Sequence, residues 1–322
     1  MRCRSFRSGI REDIYTEDDG DDSNLNKAHI ALFTCATSRG IVLDLVKSTS
    51  AKCVINSCMK LISRRGCPRL FLSDNGTGFT SEQTQQFAAS KCIDWKFSIA
   101  EAPHFGGFWE RLVACVKNCL KKTIGGATLR FDELQVILTE VETILNSRPL
   151  VSQEDNLVGE PLTPNHLLFG RKLNTNNIDL LSPDETTEIE HVKRLQHLEN
   201  ILNHFWNRWS REYLTALRDY QKYVPRKNTN NIPNVNDIVI IKEDKLPRQQ
   251  WRLGRIMELI ESRDGNIRAA KVLVGKTGNT IERVVNRLYP LEQSFVNFES
   301  KIDRPKRTAA ILADIKRKLV VY

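Results

Sequence analysis

Two carboxylates stand where phosphoryl chemistry could use them. Asp74 follows the apolar run Leu70-Phe71-Leu72-Ser73 and starts the turn Asp74-Asn75-Gly76, so a buried strand ends and its acid points out of the sheet edge. Glu110 follows the glycine loop Pro103-His104-Phe105-Gly106-Gly107 and enters the first turn of an expected helix, with thirty-five residues between it and Asp74. If the two converge, they can hold Mg²⁺ ions for in-line phosphoryl transfer, one metal activating the attacking oxygen and the other stabilising the leaving one. Each acid also has an ordinary reading. Asp-Asn-Gly favours an Asx turn in any protein, and a first-turn acid complements the helix dipole.

The elements that must position these groups follow from the apolar pattern. Ile30 to Cys35 and Ile41 to Val46 are β-prone runs joined by Ser38-Arg39-Gly40, which predicts a hairpin. Ser50 to Arg64 spaces its apolar residues as a helix before Leu70 to Ser73; Thr80 to Ser90 is a second helix and Trp95 to Ser98 another strand. Phe108 to Lys122 and Phe131 to Asn146 are longer helices, and the alternation implies a mixed sheet flanked by helices. His191 to Tyr223 carries Leu195, Leu198, Leu202, Phe205, Trp209, Tyr213, Leu217 and Tyr220 three or four apart, which predicts one long amphipathic helix whose aromatic stripe packs rather than stacks on bases. Four strand-like runs between Asp237 and Val285 then predict a compact β-meander or barrel.

Composition narrows the class of partner. The 322 residues are 40% apolar and 27% charged, an ordinary soluble composition with length for about two domains. Forty-eight bases against 39 acids give a net charge of +9, which favours a polyanion. No apolar run approaches a membrane span or a signal segment, so an intracellular chain without membrane contact is expected. The eight cysteines are scattered and form no C-x2-C pair, which predicts reduced core thiols; Cys115 and Cys119 could be half of a metal site, but core packing is the expectation. Arg252 and Arg255, with Arg248, Arg263, Arg268 and Lys271, could form a phosphate-binding surface on the small β-domain.

Read in order, Asp74-Asn75-Gly76, the thirty-five-residue gap and Gly106-Gly107-Phe108-Trp109-Glu110 resemble the second and third acids of a retroviral-type integrase. The runs Lys27 to Cys35, Asn146-Ser147-Arg148-Pro149-Leu150, His204 to Leu214, Trp251-Arg252-Leu253-Gly254-Arg255 and Val285-Asn286-Arg287-Leu288 are similar to the integrase of Pao/BEL LTR retrotransposons, over residues 27–292. The resemblance implies an α/β protein: an acidic disordered tail (1–26), an RNase H-like catalytic core (27–150), a linker (151–186), an amphipathic helix (187–225), an SH3-like β-barrel domain (233–292) and a basic tail (293–322). It further implies DNA integration by metal-dependent phosphoryl transfer, with Asp74 and Glu110 as catalytic metal ligands for Mg²⁺ or Mn²⁺ and Lys117 as a phosphate contact, although a solvated helix face would look the same. DNA and a second copy of the chain are the implied partners, in the nucleus or otherwise the cytoplasm.

The family's first acid lies on a strand before residue 27. Residues 1–26 contain no apolar run to carry it, the nearest candidate being Asp13 beside Ile14-Tyr15, and no His-His-Cys-Cys zinc module precedes it. A chain truncated at its N-terminus and impaired in catalysis is therefore expected. The alternative is a non-catalytic DNA- or protein-binding module derived from an integrase.

Overall fold

A computed structural model describes residues 5–18, 21–97, 107–124, 129–151, 161–173, 189–221, 233–243, 246–275 and 278–292. The expected hairpin is present: β2 (Asp21–Cys35) pairs antiparallel with β3 (Ile41–Val46), in register from His29↔Val46 to Thr34↔Ile41. With β4 (Leu70–Ser73) and β5 (Asp94–Phe97) these strands form a five-stranded sheet in the order β3-β2-β1-β4-β5.

Its middle strand, β1 (Ser5–Asp18), corrects the sequence reading. Residues 5–18 are not a solvated acidic tail; they pair antiparallel with β2 and, through Ser5 to Ser8, parallel with Leu70 to Ser73 of β4. The mixed sheet therefore begins at Ser5, not at Lys27. β2 pairs along the length of β1 and β4 adds a second neighbour at Ser5 to Ser8, so the ladder holds the strand even where its side-chain pattern is a poor strand signal. A bulge between Ile10 and Asp13 breaks the alternation that would have revealed it.

The sheet is covered on both faces. Ala31, Phe33, Cys35, Val42 and Val46 share a core with Val54, Cys58 and Leu61 of α1 (Ala51–Arg65), Phe79 of α2 (Thr77–Thr80) and Ala88 of α3 (Glu82–Ser90). The alternate residues Ala28, Ile30, Leu32, Ile41, Leu43 and Leu45 face α4 (Gly107–Ile124) and α5 (Phe131–Asn146). Period-two alternation thus sends each strand's apolar residues to two cores, which is why these strands read as continuous apolar runs. One cysteine departs from expectation, because Cys35 is disulfide-bonded, to a partner outside the described residues; Cys53, Cys58, Cys67, Cys92, Cys115 and Cys119 are free thiols. Within the expected linker, the short helix α6 (Pro164–Phe169) is capped by Thr163, and Val151 bridges Leu162.

The long helix forms as its stripe predicts, as α7 (Ile189–Gln221). Phe205, Trp209, Tyr213 and Leu217 are fully buried against α4 and α5, while Leu195 near the helix start is half exposed. Trp209 stacks on Tyr213 at 5.0 Å, and Trp251 meets Trp206, Trp209 and Tyr213 edge-on. The aromatic stripe is therefore core, as expected. Beyond it, β6 (Ile238–Ile241), β7 (Arg252–Glu261), β8 (Ile267–Val274), β9 (Thr280–Val284) and β10 (Leu288–Pro290) make an antiparallel sheet in the order β10-β6-β7-β8-β9. Gly254 lets β7 pass close to β8, since a Cβ there would lie 2.4 Å from Val272 Cγ1.

A buried ionic network fastens the sheet domain to these later elements. Arg148, just past α5, is fully buried; its Nε donates to Glu292 Oε1 at 2.8 Å and its two Nη groups to the carbonyls of Leu145 and Arg39. Tyr213 of α7 donates to the same Glu292 oxygen at 2.9 Å, and Arg39 approaches the other at 3.4 Å. Burial and the Glu292 charge push the Tyr213 hydroxyl well above its ordinary pKa, so it stays a donor. Asn146 exchanges two hydrogen bonds with the Ile41 backbone, at 2.8 and 2.7 Å. The Asn146 to Leu150 motif is thus architectural.

Candidate active site

Asp74 is held by its strand and its turn. Phe71 anchors β4 in the core against Trp95, at 4.9 Å between ring centres. Trp95 Nε1 donates to Ser73 Oγ, which donates to the Asp74 carbonyl, each at 2.9 Å, so the chain leaves the strand in a fixed direction. The Asp74 side chain is half-buried, and its Oδ1 accepts from the Gly76 backbone N–H at 3.3 Å in an Asx turn. It lines a cavity of about 440 Å³ with Thr49, Asn75, Thr77 and Phe79. Gly78 closes this loop tightly, because a Cβ there would lie 2.2 Å from the Thr49 carbonyl oxygen. The Asx-turn reading therefore holds for Asp74, whose side chain also lines the cavity.

Glu110 is the fourth residue of α4, in the helix expected for it, but its side chain lies outside the described residues, as do His104 and the loop of residues 98–106. Lys117, two turns further along α4, is half-buried and already has an interaction partner.

The strand expected before residue 27 is present as β1. The last parallel pair of β1 and β4 is Ser8↔Ser73, and Gly9 and Asp74 are the residues that follow it in the two segments. Ser5 to Arg11 contains no acid. Glu12 and Asp13 come three and four residues past Gly9, roughly 10 and 13 Å further along a strand that rises about 3.3 Å per residue. Mg²⁺ binds oxygen at about 2.0–2.1 Å, and paired ions lie about 3.5–4 Å apart, so their ligands must cluster. The described residues do not complete a ligand set for a metal pair.

The basic surface expected on the β-domain is mostly matched internally. Arg252 is ion-paired with Glu243, Arg248 with Glu199 at 3.1 Å, Lys271 with Glu258 at 2.7 Å, and Arg268 with Asp264. Arg255 is half-buried on β7 and also engaged. These are surface pairs of the kind that contribute little stability, so each base keeps donors to offer elsewhere. The basic tail lies outside the described residues.

The sequence reading missed Glu212, which α7 brings against Cys115 and Cys119. No sequence signal could have found it, because the spacing from Cys115 is ninety-seven residues and only helix packing closes it.

Comparison with known proteins agrees with this frame. Residues 14–103 match the family model described as "Integrase core domain", and residues 193–291 match a "Family of unknown function (DUF5641)". An uncharacterized protein K02A2.6 of Caenorhabditis elegans is 27% identical over 181 residues, which is 56% of this chain and 13% of that protein. The Pro-Pol polyprotein of feline foamy virus is 27% identical over 176 residues, 55% of this chain and 14% of that protein. The chain thus spans about one seventh of the length of the curated relatives it matches. Among solved structures, the HTLV-2 integrase catalytic core domain in complex with magnesium matches 52% of this chain and 97% of its own at 17% identity and a TM-score of 0.37. An intasome of simian T-cell lymphotropic virus in complex with a PP2A regulatory subunit matches 90% and 79%, at 14% identity and a TM-score of 0.40. Among the described residues no helix is long and apolar enough to cross a membrane. Residues 14–103 are thus similar to the integrase core domain, and the mixed sheet with its flanking helices has the RNase H-like fold.

Proposed function

We propose that this chain is a DNA-binding, integrase-like protein of a Pao/BEL-type retrotransposon in which the metal-dependent cutting and joining step is impaired. The observation that supports this reading is the pairing of β1 with β4, the strand that leads to Asp74: residues 5–11 of β1 include no acid of the kind the integrase resemblance needs there. A core of this class takes a divalent cation on carboxylate oxygens, Mg²⁺ or Mn²⁺; Asp74 and Glu110 are the residues that would hold it, and two carboxylates leave such a site under-ligated. DNA is the partner favoured by the integrase core match and the net charge of +9. The C-terminal sheet is read as the SH3-like domain, and the basic tail suits DNA contact or nuclear entry. Self-association follows from the need to hold two DNA ends.

The test is a nicking and strand-transfer assay on short duplexes with Mg²⁺ or Mn²⁺, run on the wild type and Asp74→Asn, with DNA binding followed in parallel against salt. The expected result is salt-sensitive binding without strand-transfer product in either protein. Product formed by the wild type and abolished by Asp74→Asn would overturn the impairment and locate a third ligand within the chain. Absence of DNA binding would overturn the DNA-binding reading itself.

A further inference from the structure

Outside the Asp74 region, one group of side chains has the composition of a transition-metal site. Cys115 and Cys119 are four residues apart on α4, one above the other on the same face, and α7 packs against that face with Glu212. The two sulfurs and a Glu212 oxygen lie within 4.8 Å of one another, with Cys115 Sγ donating to Glu212 Oε2 at 3.9 Å. Both cysteines are buried and free, and they are the only such trio among the described residues.

We propose that Cys115, Cys119 and Glu212 bind one zinc ion, which ties α4 to α7. Tetrahedral bonds of about 2.3 Å to sulfur and 2.0 Å to oxygen give S···O edges of roughly 3.5 Å, so closing the trio around an ion asks for shifts of only a few tenths of an ångström to about 1 Å. Two thiolates and one carboxylate suit Zn²⁺ better than Mg²⁺ or Ca²⁺, which prefer all-oxygen shells. The fourth position falls to water. A cavity of about 500 Å³ lined by His204, Asn207, Arg208, Arg211 and Glu212 opens beside the carboxylate; His204, two helical turns before Glu212 and about 12 Å along the axis, is out of reach. Arg208 donates to Glu212 Oε1 at 3.2 Å, so it orients the carboxylate and offsets the single negative charge left when two thiolates and a carboxylate surround Zn²⁺. The site is independent of any strand-transfer chemistry.

The test uses the full chain, reduced, stripped with chelator and titrated with Co²⁺ as the spectroscopic probe, with circular dichroism to report the fold. The expected result is one equivalent of Co²⁺ with a thiolate-to-cobalt charge-transfer band and the d–d intensity of a four-coordinate ion, displaced by Zn²⁺. That band survives Cys67→Ser with Cys92→Ser, which removes the exposed thiols, and is lost in Cys119→Ser. Arg208→Ala keeps the band and weakens affinity by about 10–100-fold. If Cys119→Ser fails to fold, Glu212→Gln decides: a changed d–d spectrum upholds the site, and an unchanged one overturns it. A folded wild type without a charge-transfer band, or a band that persists in folded Cys119→Ser, also overturns the proposal.

Discussion

Arg148 joins distant parts of this molecule, and its role is mechanical. Its guanidinium meets a carboxylate, two backbone carbonyls and, through Glu292, the Tyr213 hydroxyl, all out of water. Removing one partner of a buried pair leaves the other uncompensated, which costs about 3–5 kcal/mol. Arg148→Met is therefore expected to lower stability by about that amount, and Arg148→Met with Glu292→Leu by clearly less than the sum of the single changes; equilibrium urea unfolding of the four proteins measures the coupling. At this scale the sequence was informative in an uneven way. Asp74 was legible because a strand end followed by Asp-Asn-Gly has a local signature, whereas Arg148 looked like part of a family motif and gave no hint of its partner 144 residues away.

At the scale of elements, helices and two-sided strands were legible, since α1, α5, α7, β2, β3 and β4 each carry a periodic or continuous apolar pattern. The central strand β1 was not. Its acids, its glycine and the bulge after Ile10 hide a strand whose stability comes from β2 and β4 on either side. Another non-local link is the pair between α5 and α7, where Arg194 Nη2 donates to Glu133 Oε2 at 2.7 Å. The Arg194 hydrogen bond holds the Glu133 carboxyl below its ordinary value of 4.5. A carboxyl depressed in the folded state adds stability that is complete above its unfolded pKa and lost as pH falls towards the folded value. Thermal unfolding measured from pH 7 down to 3 should thus show the wild type losing an increment below about pH 5 that Glu133→Gln does not lose; parallel curves for the two proteins would contradict the link.

For the whole molecule, the net charge of +9 matters less than where its bases are spent. Among the described residues, five bases on or beside the β-domain face carboxylates of this chain, whereas residues 301–322 carry seven bases against two acids. Removing residues 301–322 is expected to weaken DNA binding and flatten its salt dependence more than Arg252→Ala does, in fluorescence anisotropy against salt. A larger loss from Arg252→Ala would return the contact to β7. The sequence by itself determined the class of fold, the longer helices and most strands from Ile30 onward and the position of Asp74, because these rest on local periodicity and turn chemistry. Only the tertiary structure decided that residues 5–18 are the middle strand, that Ser5 to Ser8 pair with the strand leading to Asp74, that Arg148 meets Glu292, and that Glu212 closes on Cys115 and Cys119. Each of these is a contact between segments distant in the chain, fixed by backbone pairing and helix packing, and no local pattern encodes it.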